Sequence, residues 1–142
     1  MGVATVPTAT AKTRYVVTLT SGTSWTVPTG CLYVNAKLFG GGAGGAGSGS
    51  TAGGTTSFTG ATSATGGTVS GGAGPAGEGA KNGGRNGNTG EESGGGQVIE
   101  SNVTTTPGAS VTYAIGAGGA AGTGVGTSGV GGAGKIELEY WA

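Results

Sequence analysis

Residues 40–50 read GGGAGGAGSGS, residues 55–67 read TTSFTGATSATGG, and residues 71–96 read GGAGPAGEGAKNGGRNGNTGEESGGG. A second tract, residues 116–134, reads GAGGAAGTGVGTSGVGGAG. Neither suits a helix, where each glycine costs about 1 kcal/mol relative to alanine. Neither carries the branched and aromatic side chains of an ordinary strand. A flexible glycine-serine linker is the simplest alternative. Two features speak for order instead: each tract leaves a strand-like segment and returns to one, and the longer tract carries placed Thr, Phe and Asn residues.

The glycines recur with a period of three at Gly41, Gly44 and Gly47, at Gly71, Gly74 and Gly77, at Gly84, Gly87 and Gly90, and at Gly126, Gly129 and Gly132. Three residues per turn is the repeat of the polyproline II helix, which makes no internal hydrogen bonds. Its amides and carbonyls point outward, and glycine on an inward edge lets neighbouring helices approach until these groups bond each other. Residues 74–79, GPAGEG, look like collagen, but the register slips at Ala80 and the runs are short. A bundle of short polyglycine II helices tolerates such slips.

Working outward, strand signals flank both tracts. Tyr15, Val17 and Leu19 alternate with Val16 and Thr18, and Ser21-Gly22 turns the chain. Trp25 and Val27 form a short return, closed by Pro28-Thr29-Gly30. In residues 31–39, Leu32, Val34, Ala36 and Leu38 share one face, with Tyr33, Asn35 and Lys37 on the other. After the long tract, residues 97–104 place Ile99 and Val103 opposite Glu100 and Asn102. Thr106-Pro107-Gly108 is a turn, followed by Val111, Tyr113 and Ile115. In the last strand Ile136, Leu138 and Tyr140 face in, and Lys135, Glu137 and Glu139 face out.

Six strands and no helix predict an all-β fold, a small antiparallel β-sandwich with the glycine-rich, polyglycine II-like inserts projecting from one end. The expected core includes Leu32, Val34, Val111, Ile136 and Leu138. The chain reads as one domain: an extended arm over 1–12, a sandwich base over 13–39, 97–115 and 135–142, and an apex over 40–96 and 116–134. If consecutive strands run antiparallel, all four junctions with the inserts fall at the same end. At about 3.1 Å per residue, a ten-residue arm would reach roughly 30 Å. Ordering so much glycine is entropically costly, so a homotrimer is expected to supply lateral partners for the apex.

The composition narrows the function. Of 142 residues 38 are glycine and only 8% are charged, with zero net charge, so the chain has no electrostatic reason to bind nucleic acid or an acidic membrane. No segment approaches the roughly 20 apolar residues of a membrane-spanning helix. The N-terminus lacks the blocks of a signal peptide. With no His and no Asp, no conventional triad forms. Gly124, Gly126 and Gly129 spell GxGxxG without the strand and helix that dinucleotide binding needs. Residues 129–135 approach a P-loop, but Ile136 stands where Ser or Thr must ligate magnesium. Cys31, at a strand start, reads as a packing residue, and Glu91-Glu92 as solvated acids. No catalytic activity, cofactor or metal is expected.

Four segments resemble a known family. Residues 21–45, SGTSWTVPTGCLYVNAKLFGGGAGG, look like the opening of the glycine-rich domain of bacteriophage tail fibres and adhesins, where a "tWtVPaG" turn leads into a strand and a glycine run. Residues 55–67 resemble that domain's "SSFG…SATGG" island. Residues 107–122, PGASVTYAIGAGGAAG, resemble its "PG…v.v.iGaGG", and residues 131–141 its closing "GGaGkvivEY". The resemblance implies a virion protein at a fibre or spike tip that binds a bacterial surface receptor, polysaccharide or protein, through loops joining polyglycine II helices. The candidate receptor-binding residues are Phe58, Lys81, Asn82, Arg85, Asn86, Asn88, Thr127 and Ser128. Phe58 has two readings, an exposed anchor for a partner or a pin fixing the insert to the sandwich. Other expectations are a structural virion protein, such as a capsid decoration or fibre cap, and an ice-binding protein with threonine-bearing faces.

Overall fold

The computed structural model describes residues 2–5, 9–45, 48–69, 95–124 and 129–142. Among them are seven strands and no helix: β1 (Arg14–Leu19), β2 (Ser24–Thr26), β3 (Tyr33–Phe39), β4 (Ser57–Phe58), β5 (Val98–Thr104), β6 (Ser110–Ala114) and β7 (Lys135–Trp141). They form two antiparallel sheets, ordered β1-β7-β3-β5 and β2-β6-β4.

β7 sets the geometry of the larger sheet. Its alternation KIELEYW buries Ile136, Leu138 and Tyr140 and leaves the residues between them half-exposed. Being flanked on both sides, by Leu19↔Ile136 in β1 and Leu38↔Ile136 in β3, it fixes the register of the sheet. A slip of one residue would turn its acids into the core. The inner residues meet Val27, Phe58, Val103 and Tyr113 in one cluster. Trp25 of β2 bridges the sheets, its ring centroid 5.6 Å from Tyr140 and 6.2 Å from Phe58.

Three expectations are corrected. Leu32 does not join the core: β3 begins at Tyr33, and Leu32, ahead of the pleat, is 56% exposed. Val111 is only half-buried at the rim. The long insert is not wholly apical, because Ser57 and Phe58 return to the base and pair with Ala114 and Tyr113 as β4. A two-residue strand has too short an alternation to be read from sequence.

Among the described residues the buried side-chain oxygens and nitrogens are partnered. Tyr113 is held at the rim by donating its hydroxyl to the Ser21 carbonyl at 2.7 Å. Gly22 needs to be glycine there: its φ is +92°, and a Cβ would lie 2.6 Å from that hydroxyl. Cys31 is fully buried and its thiol lies 3.4 Å from the Tyr33 carbonyl.

Replacing Leu138 with alanine opens a cavity between three strands, and is expected to cost about 2–5 kcal/mol in urea unfolding. Burial pushes the Tyr140 phenol above its ordinary value of 10.0, with the Cys31 thiol and Tyr15 phenol adding to the shift. The folded state therefore keeps this proton to higher pH than the unfolded chain does. Its stabilisation is intact below about pH 10 and is lost as pH rises through the folded value. The unfolding midpoint should fall above that pH, less steeply in Tyr140→Phe.

Candidate functional site: the glycine apex

Beyond the sheets the chain continues as six segments: 40–45, 51–56, 64–67, 95–97, 116–122 and 129–134. They start where β3 and β6 end and return where β5 and β7 begin. The pairs Phe39↔Val98 and Phe39↔Lys135 set three of these junctions side by side. Thr56 ties in the fourth: its buried hydroxyl donates to the Phe39 carbonyl at 2.7 Å and accepts the Gly116 amide at 2.9 Å.

The segments bond one another through their backbones, and contacts repeat every third residue. Gly41 and Gly44 donate to Gly54 and Thr51 at 2.9 and 3.0 Å, while Gly42 and Gly45 donate to Gly132 and Gly129 at 2.8 Å each. Gly119 and Gly122 donate to Gly42 and Gly45 at 2.8 and 3.0 Å; Gly131 and Gly134 donate to Gly119 and Gly116 at 2.8 and 2.7 Å. Gly67 donates to Gly41 at 2.8 Å, and Gly53 to Gly67 at 3.0 Å. A three-residue repeat of lateral bonds is what polyproline II geometry provides. From these bonds, 40–45, 64–67 and 116–122 run outward, and 51–56, 95–97 and 129–134 run back.

Segment 40–45 is central, and each of its residues is buried. Glycine is needed on several of its faces, and alanine appears only at Ala43, which is 0% exposed. The outer segments bury one residue in three: Ala64 and Gly67, then Gly116, Gly119 and Gly122, then Gly131 and Gly134. A Cβ at Gly44 would lie 1.7 Å from the Ala120 carbonyl oxygen, at Gly119 2.0 Å from that of Thr51, and at Gly131 2.0 Å from that of Gly42. In the last segment the inward register is therefore Gly131 and Gly134, not the Gly129 and Gly132 of the sequence pattern, whose carbonyls serve instead as acceptors. The lateral partners sought from a trimer are provided, for the central segment, by the same chain.

At the far end, Ser48 and Thr123 exchange two backbone bonds of 2.9 Å each, and the Thr51 hydroxyl accepts the Ala120 amide at 2.7 Å. Ser48, Thr51 and Thr123 are exposed. Among the described residues they put three hydroxyl groups at the outer end of the paired segments. Sequence reading passed over them, because threonine and serine in a glycine tract carry no signal until the partner segment is known.

Of the candidate receptor-binding residues, only Phe58 is described. Its reading as an exposed anchor is corrected: Phe58 is 2% exposed and packs against Trp25, so it holds the insert to the base and has no surface to offer a partner. Lys81, Asn82, Arg85, Asn86, Asn88, Thr127 and Ser128 lie outside the described residues, as do Gly71, Gly74, Gly77, Gly84, Gly87, Gly90, Gly126 and Glu91-Glu92. Beside β4, Ser57, Thr59, Ala61, Ser63 and Thr112 line an open depression of about 410 Å³. Among the described residues, no group of three His, Cys, Asp or Glu side chains is placed to hold a metal ion. Comparison with protein-family models, with curated proteins and with solved structures found no match in any of the three.

Two substitutions test the packing. Gly119→Val puts a branched side chain into the Thr51 carbonyl and should destabilise the apex by about 1–3 kcal/mol, before any loss of lateral bonds. Ala52→Val, on an exposed position of the facing segment, should be near neutral. Faster amide exchange at Gly42 and Gly44 in the first variant only is the expected result. Thr56→Val removes one partner each from a buried carbonyl and a buried amide, at about 1–3 kcal/mol per group, and should lower the melting temperature.

Proposed function

We propose that this chain is a bacteriophage virion protein, a tail-fibre or spike tip that attaches to the bacterial surface through the outer end of its glycine apex. The observation that carries this reading is the bundle itself. Its lateral bonds are mostly backbone to backbone, with the Thr51 and Thr56 hydroxyls adding to them, and all of these groups lie on the segments themselves. The connections from Gly45 to Ser48 and from Gly124 to Gly129 start and finish on bonded segments. The polar stretch with Lys81, Asn82, Arg85, Asn86 and Asn88 lies in sequence between Gly67 and Gly96, both held against segment 40–45. A scaffold ordered before binding reduces the ordering cost of recognition by the residues that connect its segments. The order of the four tail-fibre-like motifs supports the same reading. The receptor is a polysaccharide or an outer-surface protein.

The test is retention of labelled, purified protein on intact cells of a panel of bacterial strains. Binding to particular strains is expected, with loss in Gly119→Val and none in Ala52→Val. Absence of binding to every strain, while the protein is incorporated into virions, would favour a structural decoration or fibre-cap role.

A further inference from the structure

The larger sheet ends on one side in β1, whose outer edge is open. Thr13 and Ala142 exchange backbone bonds of 2.9 and 3.1 Å, and the register continues from Arg14↔Trp141 to Leu19↔Ile136. Antiparallel pairs alternate between bonded and non-bonded residues. Tyr15, Val17 and Leu19 therefore direct their amides and carbonyls to β7, while Arg14, Val16 and Thr18 direct theirs away from the sheet. Among the described residues no segment meets them.

Of the usual safeguards of a free edge, β1 carries only a charge at its first residue, Arg14. Within RYVVTL there is no proline and no lysine, and its pairing with β7 is unbroken by a bulge. Val16 is 55% exposed. The inner face of β1 is also under-covered, since Tyr15 is 45% exposed and Val17 and Leu19 are only half-buried, although their partners on β7 are buried. The opposite edge, β5, is different. Residues 60–65 run beside it, with the Thr62 amide donating to Ser101 Oγ at 3.2 Å, and it carries Glu100 at its middle.

We propose that β1 is a docking edge for a second copy of this chain, the two β1 strands pairing antiparallel about a two-fold axis at Val16. Of the centres that set outward groups against outward groups, this one uses all three outward residues of β1. It sets Arg14 opposite Thr18 of the second copy, Val16 opposite Val16 and Thr18 opposite Arg14, so each outward amide meets an outward carbonyl. No like charges face each other, because Arg14 meets threonine and is already paired with Glu139 of its own chain. Tyr15 of each copy comes opposite Val17 of the other on the inner face, adding to the cover that the smaller sheet leaves incomplete. The contact is isologous and closes at two copies. The apex takes no part in it, so the pair stands whether or not the apex binds a receptor.

The experiment is light scattering across a concentration series, with amide exchange read at Val16 and Thr18. The wild-type protein should reach the mass of a dimer at tens of micromolar, with exchange at both amides slowing as the dimer forms. Val16→Lys sets two ammonium groups against the axis and should give a monomer. Val16→Pro removes only the outward amide, sparing the pairing with β7, and should also give a monomer, with circular dichroism reporting the retained sheet. A monomeric or trimeric wild type would overturn the proposal. So would a dimer that survives both substitutions, or Val16 and Thr18 amides that exchange at the same rate at every concentration.

Discussion

The hydrogen bond from a peptide amide of one glycine segment to a peptide carbonyl of the next is the interaction on which the structure depends. A buried peptide group must be paired, and segment 40–45 is buried along its whole length. Neither helix nor sheet supplies its partners. They come from neighbouring segments, every third residue, and each bond requires backbones closer than a side chain permits. A Cβ at Gly41, Gly53, Gly66 or Gly116 would lie about 2 Å from a carbonyl oxygen on the adjacent segment. Glycine here is the condition of contact between segments of the one chain.

The sandwich base is the counterpart of that arrangement. It gathers the ends of β3 and β6 and the starts of β5 and β7 at one edge, and so sets segments beside each other before they bond. Thr56 marks the boundary, with one hydroxyl bonded to the last residue of β3 and to the first glycine after Ile115. On the sandwich side of that residue, stability comes from Leu38, Ile136, Leu138 and Phe58; on the other side it comes from main-chain polar groups. Phe58 belongs to both, since it is part of the long insert in sequence and part of the core in space.

Much of the base was readable in the sequence because its strands alternate. β7 shows this best, each of its inward residues being apolar and each of the others charged or half-buried. β4 was not readable, because two residues have no period and Phe58 acquires its meaning only from Trp25 and Tyr113 across the core. The three-residue spacing of Gly41 and Gly44 marked a true line of close contacts. In residues 129–134 the same spacing pointed to the wrong face, since Gly129, Gly131, Gly132 and Gly134 offer two registers and sequence has no means to choose between them. The partner decides: Gly131 lies against Gly42. The tip residues Ser48 and Thr123 were likewise invisible, because their pairing joins positions 75 residues apart.

The composition of the apex also bears on how the molecule responds to temperature. Ordinary domains owe the curvature of their stability to hydrocarbon exposed on unfolding, which raises the heat capacity, whereas exposed peptide groups lower it. Opening the glycine bundle uncovers amides and carbonyls and very little hydrocarbon. The apex thus contributes little to the heat-capacity increment of the chain, and its stability curve is flatter than that of the sandwich beneath it. Cooling weakens the apolar base while leaving the lattice of hydrogen bonds between peptide groups nearly unchanged, so the two halves of one small domain follow different thermal laws.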